Sequence, residues 1–244
     1  MKAARRAPPP RGVGRALDRL EAAFGRPRPE RRLDPLDELI LTVLSQNTND
    51  RNRDRAYVEL RRRLPTWARA HRAGPGAIEE AIRTGGLART KSRVIHGILE
   101  RVRGDRGHLS LGHLRRMPPS EARRYLAGFK GVGDKTICCV LLFSCGHPAF
   151  PVDTHIHRVA RRLGWVPAHA TVGRSHVILA EVIPPRRYYT AHVNLITLGR
   201  RLCRPRRPAC PTCPLRGGCR YGQRATILRR RPSGPSVHPR QVRS

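Results

Sequence analysis

A lysine and an aspartate, eighteen positions apart, are the residues of this chain whose surroundings best suit them for chemistry. Lys135 follows a short glycine-containing segment, residues 129–136 (FKGVGDKT), and Asp153 lies within residues 151–155 (PVDTH). An unprotonated lysine amine can act as a Schiff-base nucleophile. A protein that holds a phosphate backbone and presents such an amine beside a carboxylate is a candidate for base-excision chemistry on DNA.

Gly131, Val132 and Gly133 form the centre of a predicted hairpin between two helices. Glycines allow backbone dihedrals and close approaches that a side chain would block. The next helix begins at Asp134 or Lys135, and its free N–H groups and dipole point at the hairpin, which makes a site for an anion. A DNA phosphate is the natural ligand, and such a contact positions a protein without reading base sequence. Taken alone, a Gly-x-Gly segment is more typical of an ordinary corner between helices.

Lys135 and Asp153 are both predicted at the start of a helix. The positive end of the helix dipole disfavours an ammonium at Lys135 and eases the loss of its proton. The helix of residues 134–144 would be about 15 Å long. The linker of residues 145–152 spans roughly 26 Å when extended, so the two helix N-termini can meet. Taken singly, Asp153 is an ordinary N-cap and Lys135 a solvated lysine, but together, beside the hairpin, they favour a catalytic role.

The charge of the chain predicts a polyanionic partner. Its 244 residues carry 50 Lys+Arg against 17 Asp+Glu, a formal net charge of +33. Genome composition alone can favour arginine, but it does not require acidic residues to be scarce, so nucleic-acid binding is the preferred explanation. No apolar run is long enough to span a membrane, and the proline-rich N-terminus resembles neither a signal peptide nor a transit peptide. We expect a cytoplasmic, nucleoid-associated protein.

Apolar residues recur at helical spacing along almost the whole chain, with no sustained two-residue alternation, so the chain is predicted to be all-α. Helices are predicted over residues 17–24, 35–44, 53–64, 77–82, 91–102, 120–129, 134–143, 153–163, 171–183 and 188–202. Residues 1–14 and 223–244 are basic and rich in arginine and proline, and we expect them to be disordered arms.

In residues 131–136 (GVGDKT) and 152–159 (VDTHIHRV), the chain resembles endonuclease III of the helix–hairpin–helix DNA glycosylase superfamily. The resemblance extends from about Leu33 to about Tyr221. It implies a two-lobed helix–hairpin–helix glycosylase fold with DNA in the cleft: a six-helix lobe of residues 37–147, and an iron–sulfur cluster lobe of residues 15–36 plus 148–222. It also implies a monomeric, bifunctional glycosylase and AP lyase acting on damaged pyrimidines, oxidised ones first, or abasic sites in double-stranded DNA.

The resemblance assigns roles to the two residues considered first. Lys135 matches the nucleophile, which attacks C1′ of a flipped nucleotide and expels the base, after which β-elimination nicks the strand 3′ to the lesion. Asp153 matches the catalytic aspartate, which helps to activate the lysine and stabilises the cationic sugar. The chain departs from the family pattern at Lys130, Asp134 and His157, where proline, a basic residue and an apolar residue respectively are usual. None of these departures removes the chemistry.

Two further loops align with loops that contact DNA in the family. Residues 45–50 (SQNTND) align with the loop that fills the gap left by the flipped base. Asn47 falls where glutamine is typical, and Gln46 could serve instead with a shift of one residue. Leu87 aligns with the apolar wedge, and a packing residue at a helix end is the alternative. Lys91 is predicted to contact a phosphate or to be merely solvated.

Four cysteines with six, two and five residues between them suggest a metal site: Cys203, Cys210, Cys213 and Cys219. From the residues alone, zinc is the metal that four cysteine thiolates most commonly bind. Disulfides between these cysteines would require an oxidising compartment. The spacing departs from the common zinc pattern and matches that of endonuclease III at every interval, so the resemblance implies a structural [4Fe–4S] cluster. The first loop is basic, and the resemblance predicts that it meets DNA phosphate through Arg204, Arg206 and Arg207.

Two alternatives have discriminating features. A mismatch, uracil or adenine glycosylase of the same superfamily usually lacks lysine at the position of Lys135. A non-catalytic DNA-binding iron–sulfur protein would use the hairpin and cluster for grip alone, and the pairing of Lys135 with Asp153 argues against it. The sequence contains no pattern that identifies the preferred base.

Overall fold

The computed structural model describes residues 12–29 and 32–223. These residues form ten α-helices and no β-strand, which confirms the predicted all-α class: α1 Val13–Phe24, α2 Pro35–Leu44, α3 Asp50–Arg63, α4 Trp67–Ala81, α5 Ala88–Arg106, α6 Pro119–Ala127, α7 Asp134–Cys139, α8 Thr154–Leu163, α9 Val172–Val182 and α10 Tyr188–Arg201. Because α1 begins at Val13, the predicted N-terminal arm is too long by two residues. The rest of that arm, apart from Gly12, and residues 224–244 of the predicted tail lie outside the described residues.

Side-chain caps fix where several helices begin. Asp34 accepts a hydrogen bond from the N–H of Leu36 at 2.9 Å, with Pro35 at the first helical position of α2. Asn49 accepts one from the N–H of Asn52 at 2.9 Å, which starts α3 earlier than predicted. Such caps satisfy N–H groups that have no partner within the helix. The loop of residues 45–49 therefore runs from the end of α2 to the Asn49 N-cap of α3.

Two helices differ from their predicted extents. Helix α4 begins at Trp67 rather than near residue 77, because Gly74, with φ of 78°, absorbs a kink through which the chain continues. Helix α7 ends at Cys139, and Val140–Cys145 continues as a π-helix. The apolar pattern of residues 134–143 does not distinguish α from π winding, and short π segments often occur at functional sites.

The described residues contain two hydrophobic cores. Helices α2 to α7 surround the first, whose fully buried members include Leu36, Ile40, Leu60 and Ile95. Helices α1, α8, α9 and α10 surround the second, which includes Leu17, Leu20, Phe150, Ile156 and Leu195. The chain passes from the first core to the second between residues 149 and 150.

The π-helical segment connects the two halves of the molecule. It packs against α2 on one side and α10 on the other. Lys135 lies in α7, directly before the π-helical segment, and Asp153 lies after this segment, at the start of α8. Both residues are therefore close to the junction of the two cores. None of the helices described has the length and apolar character needed to cross a membrane.

Candidate active site

The amine of Lys135 lies between α7 and the end of α2. Its Nζ donates to Oγ of Ser45 at 3.4 Å, and Ser45 is the residue directly after α2. The Ser45 hydroxyl donates in turn to the carbonyl of Thr42 at 2.7 Å, so its oxygen is left to accept from the amine. The amine also interacts with the Cys139 thiol one turn along α7, and burial raises the pKa of Cys139 to about 12. Lys135 is thus held half-buried against two uncharged groups.

Asp153 and Lys135 share a neutral neighbour, His192 of α10. Asp153 caps α8 by accepting from the N–H of Ile156 at 2.7 Å, which uses one of its two carboxylate oxygens. His192 is buried, with Nδ1 3.0 Å from the carbonyl of Pro151. Burial lowers the pKa of His192 to about 4, and the ring interacts electrostatically with both Asp153 and Lys135. The two predicted residues therefore both act electrostatically on one imidazole that is uncharged at neutral pH.

Two further carboxyl groups act on the amine. Burial raises the pKa of Glu38 in α2 to about 7, although the hydrogen bond from Thr42 at 3.1 Å and the charge of Lys135 oppose the shift. Partial burial opposes ionisation of Asp50, but its pairing with Arg200 of α10 outweighs burial and lowers the pKa of Asp50. Lys135 thus faces one carboxylate that stays ionised and one carboxyl group that titrates near neutrality.

The hairpin requires glycine at its first glycine position. Gly131 has φ of 83°, and an added Cβ would lie 2.8 Å from a methyl carbon of Val94. Its carbonyl accepts a hydrogen bond from the Gln46 side chain at 3.4 Å, which ties the hairpin to the loop of residues 45–49. Gly133 precedes α7 and supplies no side chain to cap it. The first N–H groups of α7 therefore have no side-chain cap at the hairpin.

Asp134, one of the departures from the family pattern, is paired with Arg123 of α6. The two side chains lie 3.0 Å apart, and both are about half exposed. The pair reduces the negative charge that Asp134 would otherwise place beside an incoming phosphate. Lys130, another departure, is exposed at the hairpin.

Three non-glycine residues among those described have a positive φ: Asn47 at 51°, Leu87 at 52° and Arg207 at 49°. Each stands in a loop that the resemblance predicts to contact DNA. Non-glycine residues in this region carry strain on the order of 1 kcal/mol or more, and such positions cluster at ligand-binding sites. Leu87 is 56% exposed, so the alternative of a packing residue at a helix end is wrong. Asn47 is exposed, whereas Gln46 is partly buried against the hairpin.

The predicted phosphate contact at Lys91 is wrong, and so is the alternative of a solvated lysine. Lys91 is only 2% exposed. Its ammonium donates to the carbonyls of Leu44 at 2.7 Å and Gly85 at 2.9 Å. Helical spacing places residue 91 on the face of α5 that packs on α2, where an aliphatic stem can be buried if its charge finds acceptors.

The four cysteines predicted to bind metal line one small pocket, together with Leu202 and Arg162. Burial raises the pKa of Cys213 and of Cys219, and Cys203 and Cys210 add to the shift in both. Within the part of the chain that the structure describes, no three of these sulfurs lie within 4.8 Å of one another.

Helix α8 connects the Asp153 cap to the cysteine pocket. Arg158 donates to the carbonyl of Cys203 at 2.9 Å, and Arg162 donates to its sulfur at 3.2 Å. Arg162 also donates to the carbonyl of Arg204 at 2.7 Å. These contacts attach the first cysteine loop to the helix, and the three arginines of that loop, Arg204, Arg206 and Arg207, are exposed.

Several residues near the amine were not predicted as members of the site. Ser45 was part of a loop motif without a role of its own. Glu38 carries a weak signal, because it is one of two neighbouring acidic residues, with Asp37, in the first turn of a largely apolar α2. His192 carries none, since it reaches the site from α10, far along the chain, through tertiary packing alone.

Comparison with known proteins gives a consistent family match. The model of the HhH-GPD superfamily of base excision DNA repair proteins matches residues 40–185. Endonuclease III of Thermotoga maritima is 33% identical over 201 residues, which cover 81% of this chain and 88% of that protein. A putative DNA glycosylase of Arabidopsis thaliana is 42% identical over 165 residues, which cover 68% of this chain and 56% of the plant protein. The chain thus spans about half the length of this plant relative.

The fold is also similar to a solved structure of a trapped covalent intermediate between endonuclease III and DNA. The TM-score is 0.76 at 28% sequence identity, over 88% of this chain and 97% of the other. The similarity therefore covers both hydrophobic cores and the junction between them.

Proposed function

Because the chain belongs to the HhH-GPD superfamily of base excision DNA repair proteins, we propose that it is a bifunctional DNA N-glycosylase and AP lyase. Its substrate is double-stranded DNA that contains a damaged pyrimidine or an abasic site, with oxidised pyrimidines as the first class. It acts as a monomer and is cytoplasmic, associated with the nucleoid.

The environment of Lys135 carries this proposal. The lysines of this arginine-rich chain are Lys2, Lys91, Lys130 and Lys135. Arginine stays protonated in proteins, so only a lysine can supply a neutral side-chain amine. The ammonium of Lys91 is committed to two carbonyls. The amine of Lys135 instead contacts the Ser45 hydroxyl, and Lys135 and Asp153 both interact electrostatically with buried His192. The similarity to an endonuclease III that forms a covalent DNA intermediate supports the same assignment.

The chemistry follows from these positions. The neutral amine of Lys135 forms a bond to C1′ while the bond from C1′ to the base breaks, and the base leaves with the electron pair. The Asp153 carboxylate stabilises the positive charge on the sugar as that bond breaks, then takes the proton that the attached amine loses and passes it to the ring oxygen. Opening of the sugar ring gives an imine, loss of a proton from C2′ expels the 3′ phosphate, and water then releases Lys135.

Contacts with DNA are assigned by exposure and strain. The hairpin of Gly131, Val132 and Gly133 receives a phosphate at the start of the helical segment that carries Lys135. Leu87 inserts as the apolar wedge. Asn47 fills the gap left by the extruded nucleotide, because it is exposed at a strained loop position while Gln46 is held by the hairpin.

The four cysteines are proposed to hold a [4Fe–4S] cluster. A single tetrahedral zinc ion with Zn–S bonds of about 2.3 Å would set its four sulfurs about 3.8 Å apart. The sulfurs do not show that spacing in the described residues. The intervals between the four cysteines match those of endonuclease III, which supports a four-iron cluster in which each thiolate binds a different iron atom. The cluster has a structural role and holds the loop of Arg204, Arg206 and Arg207. Protein purified anaerobically with iron should absorb near ~400 nm, and a colourless protein would refute this assignment.

Borohydride trapping tests the lyase activity and the base preference together. Duplexes that contain thymine glycol, dihydrouracil, uracil, a mismatch or an abasic site are incubated with the protein and reductant. We expect covalent adducts with the abasic site and with the oxidised or reduced pyrimidines. Base release from uracil or a mismatch without any adduct would instead indicate a monofunctional glycosylase, and binding without base release or adduct would indicate a non-catalytic protein.

A further inference from the structure

Lys91 joins two separate loops through one buried charge. Its Nζ donates to the carbonyl of Leu44 at 2.7 Å and to that of Gly85 at 2.9 Å. Leu44 is the last residue of α2, and Gly85 lies in the turn before α5. Buried carbonyls that accept from an ammonium form stronger bonds than those between neutral groups. The ammonium therefore fixes the starting points of both loops relative to each other.

Both loops present a strained residue to solvent just beyond the carbonyl that Lys91 holds. Asn47 follows Leu44 by three positions and has φ of 51°, and Leu87 follows Gly85 by two and has φ of 52°. Strained backbone persists only where the surrounding structure holds it. Gly85 is itself packed closely, since a Cβ added there would lie 3.0 Å from Cβ of Ala56. The ends of the two loops thus form one rigid frame.

The choice of lysine at this position fits that role. An ammonium is a compact donor that can reach two carbonyls from one atom, whereas a guanidinium is a planar fork of five donors. Arginine supplies nearly all other basic residues of the chain, and lysine is found only at positions 2, 91, 130 and 135. A small buried charge between two backbone oxygens is a place where arginine does not substitute.

The geometry points to Lys91 as a positioning residue that couples the wedge loop of Leu87 to the gap-filling loop of Asn47, so that extrusion of a nucleotide and occupation of its gap occur together. This inference rests on the proposed function, because it assumes that the protein extrudes a nucleotide from duplex DNA. It assigns Lys91 no contact with DNA or with the reacting atoms.

Extrusion can be measured separately from the lyase chemistry. The variant Lys91→Met keeps the aliphatic stem and removes the charge. Its matched control is Arg103→Met, which changes an exposed basic residue in the last turn of the same helix, α5. Duplexes carry 2-aminopurine next to a dihydrouracil, so that fluorescence rises when the stack opens. Single-turnover borohydride trapping is run on the same lesion in duplex DNA and on an abasic site in a single strand, which needs no extrusion.

We expect the fluorescence rise with wild type and Arg103→Met, and its loss with Lys91→Met at saturating protein. Trapping by Lys91→Met should slow at least tenfold more on the duplex lesion than on the single strand. Equal slowing on both substrates would show a merely structural role and overturn the inference, as would an undiminished fluorescence rise. Wild-type protein that binds without any fluorescence rise would overturn it too.

The two proposals fail in different ways. Absence of trapping on every substrate would overturn the proposed lyase, while the fluorescence measurement would still decide the coupling. If Lys91→Met does not fold at the assay temperature, Lys91→Gln replaces it under the same criteria. Its amide still donates a hydrogen bond to one of the two carbonyls, so the fold is less perturbed while the link between the loops is broken.

Discussion

Glu38 should make the free energy of unfolding fall as the pH rises from about 4.5 to about 7. Burial raises the pKa of this carboxyl group from 4.5 to about 7 in the folded protein. The unfolded chain releases the proton at the lower value, so between the two values the folded state binds more protons than the unfolded state. Stability is then lost progressively as the pH rises through this window.

The variant Glu38→Gln removes this dependence. A shift of about 2.5 pH units corresponds to at most roughly 3.4 kcal/mol, at about 1.36 kcal/mol per unit. Because the side chain is only partly shielded from solvent, we expect the stability advantage of the variant to grow by about 2 kcal/mol between pH 5 and pH 8. Glutamine keeps an oxygen that accepts from Thr42 and cannot ionise.

Urea unfolding of wild type and variant at matched pH values measures this quantity. Taking the difference between the two proteins cancels the titration of the histidines, which both proteins share. Glu121→Gln, a change at an exposed glutamate of α6, is the control and should shift stability by less than about 0.5 kcal/mol at every pH. A difference between Glu38→Gln and wild type that stays constant with pH would show that Glu38 does not have a raised pKa in the folded protein.

The DNA-facing loops give two more predictions. Leu87→Gly should leave the free energy of unfolding unchanged or raise it by up to about 1 kcal/mol, because glycine relieves the strain at φ of 52°. The 2-aminopurine fluorescence on the lesion duplex should fall with this variant. A fluorescence rise equal to that of wild type would contradict the role of Leu87 as the wedge. Replacement of Arg204, Arg206 and Arg207 together by alanine should reduce the slope of log K against log salt by about 3, near 0.9 for each phosphate that is no longer neutralised. Fluorescence anisotropy at several salt concentrations measures it, and an unchanged slope would remove these arginines from the interface.

Local features of the sequence were sufficient for the helices and for the loops that surround the site. The hairpin glycines, the cap at Asp153 and the apolar stripes each depend on residues close in sequence, and the structure has all of them. The exposure of Leu87 was implied by the resemblance alone, and its positive φ was not predicted, since leucine rarely adopts that conformation. The winding of residues 140–145 and the kink at Gly74 do not follow, since hydrophobic periodicity is the same for either geometry.

Tertiary packing accounts for what the sequence did not predict. Lys91 looks like any basic residue on a helix, and only the approach of Leu44 and Gly85 explains its burial. His192 reaches the active site from a helix of the other core. Burial in the folded protein raises the pKa of Glu38 against the opposing effects of Thr42, Lys135 and Arg53. The sequence shows the acidic residue but not the burial that keeps it protonated.

The proposed lyase is best tested by identifying the residue that becomes bound to DNA. Wild-type protein is trapped by borohydride on duplex DNA with an abasic site, the adduct is digested, and the modified peptide is sequenced by mass spectrometry. We predict the sugar remnant on Lys135, and no adduct with Lys135→Ala. Modification at Lys2, Lys91, Lys130 or the N-terminal amine, or an undiminished adduct in Lys135→Ala, would contradict the assignment of Lys135 as the nucleophile.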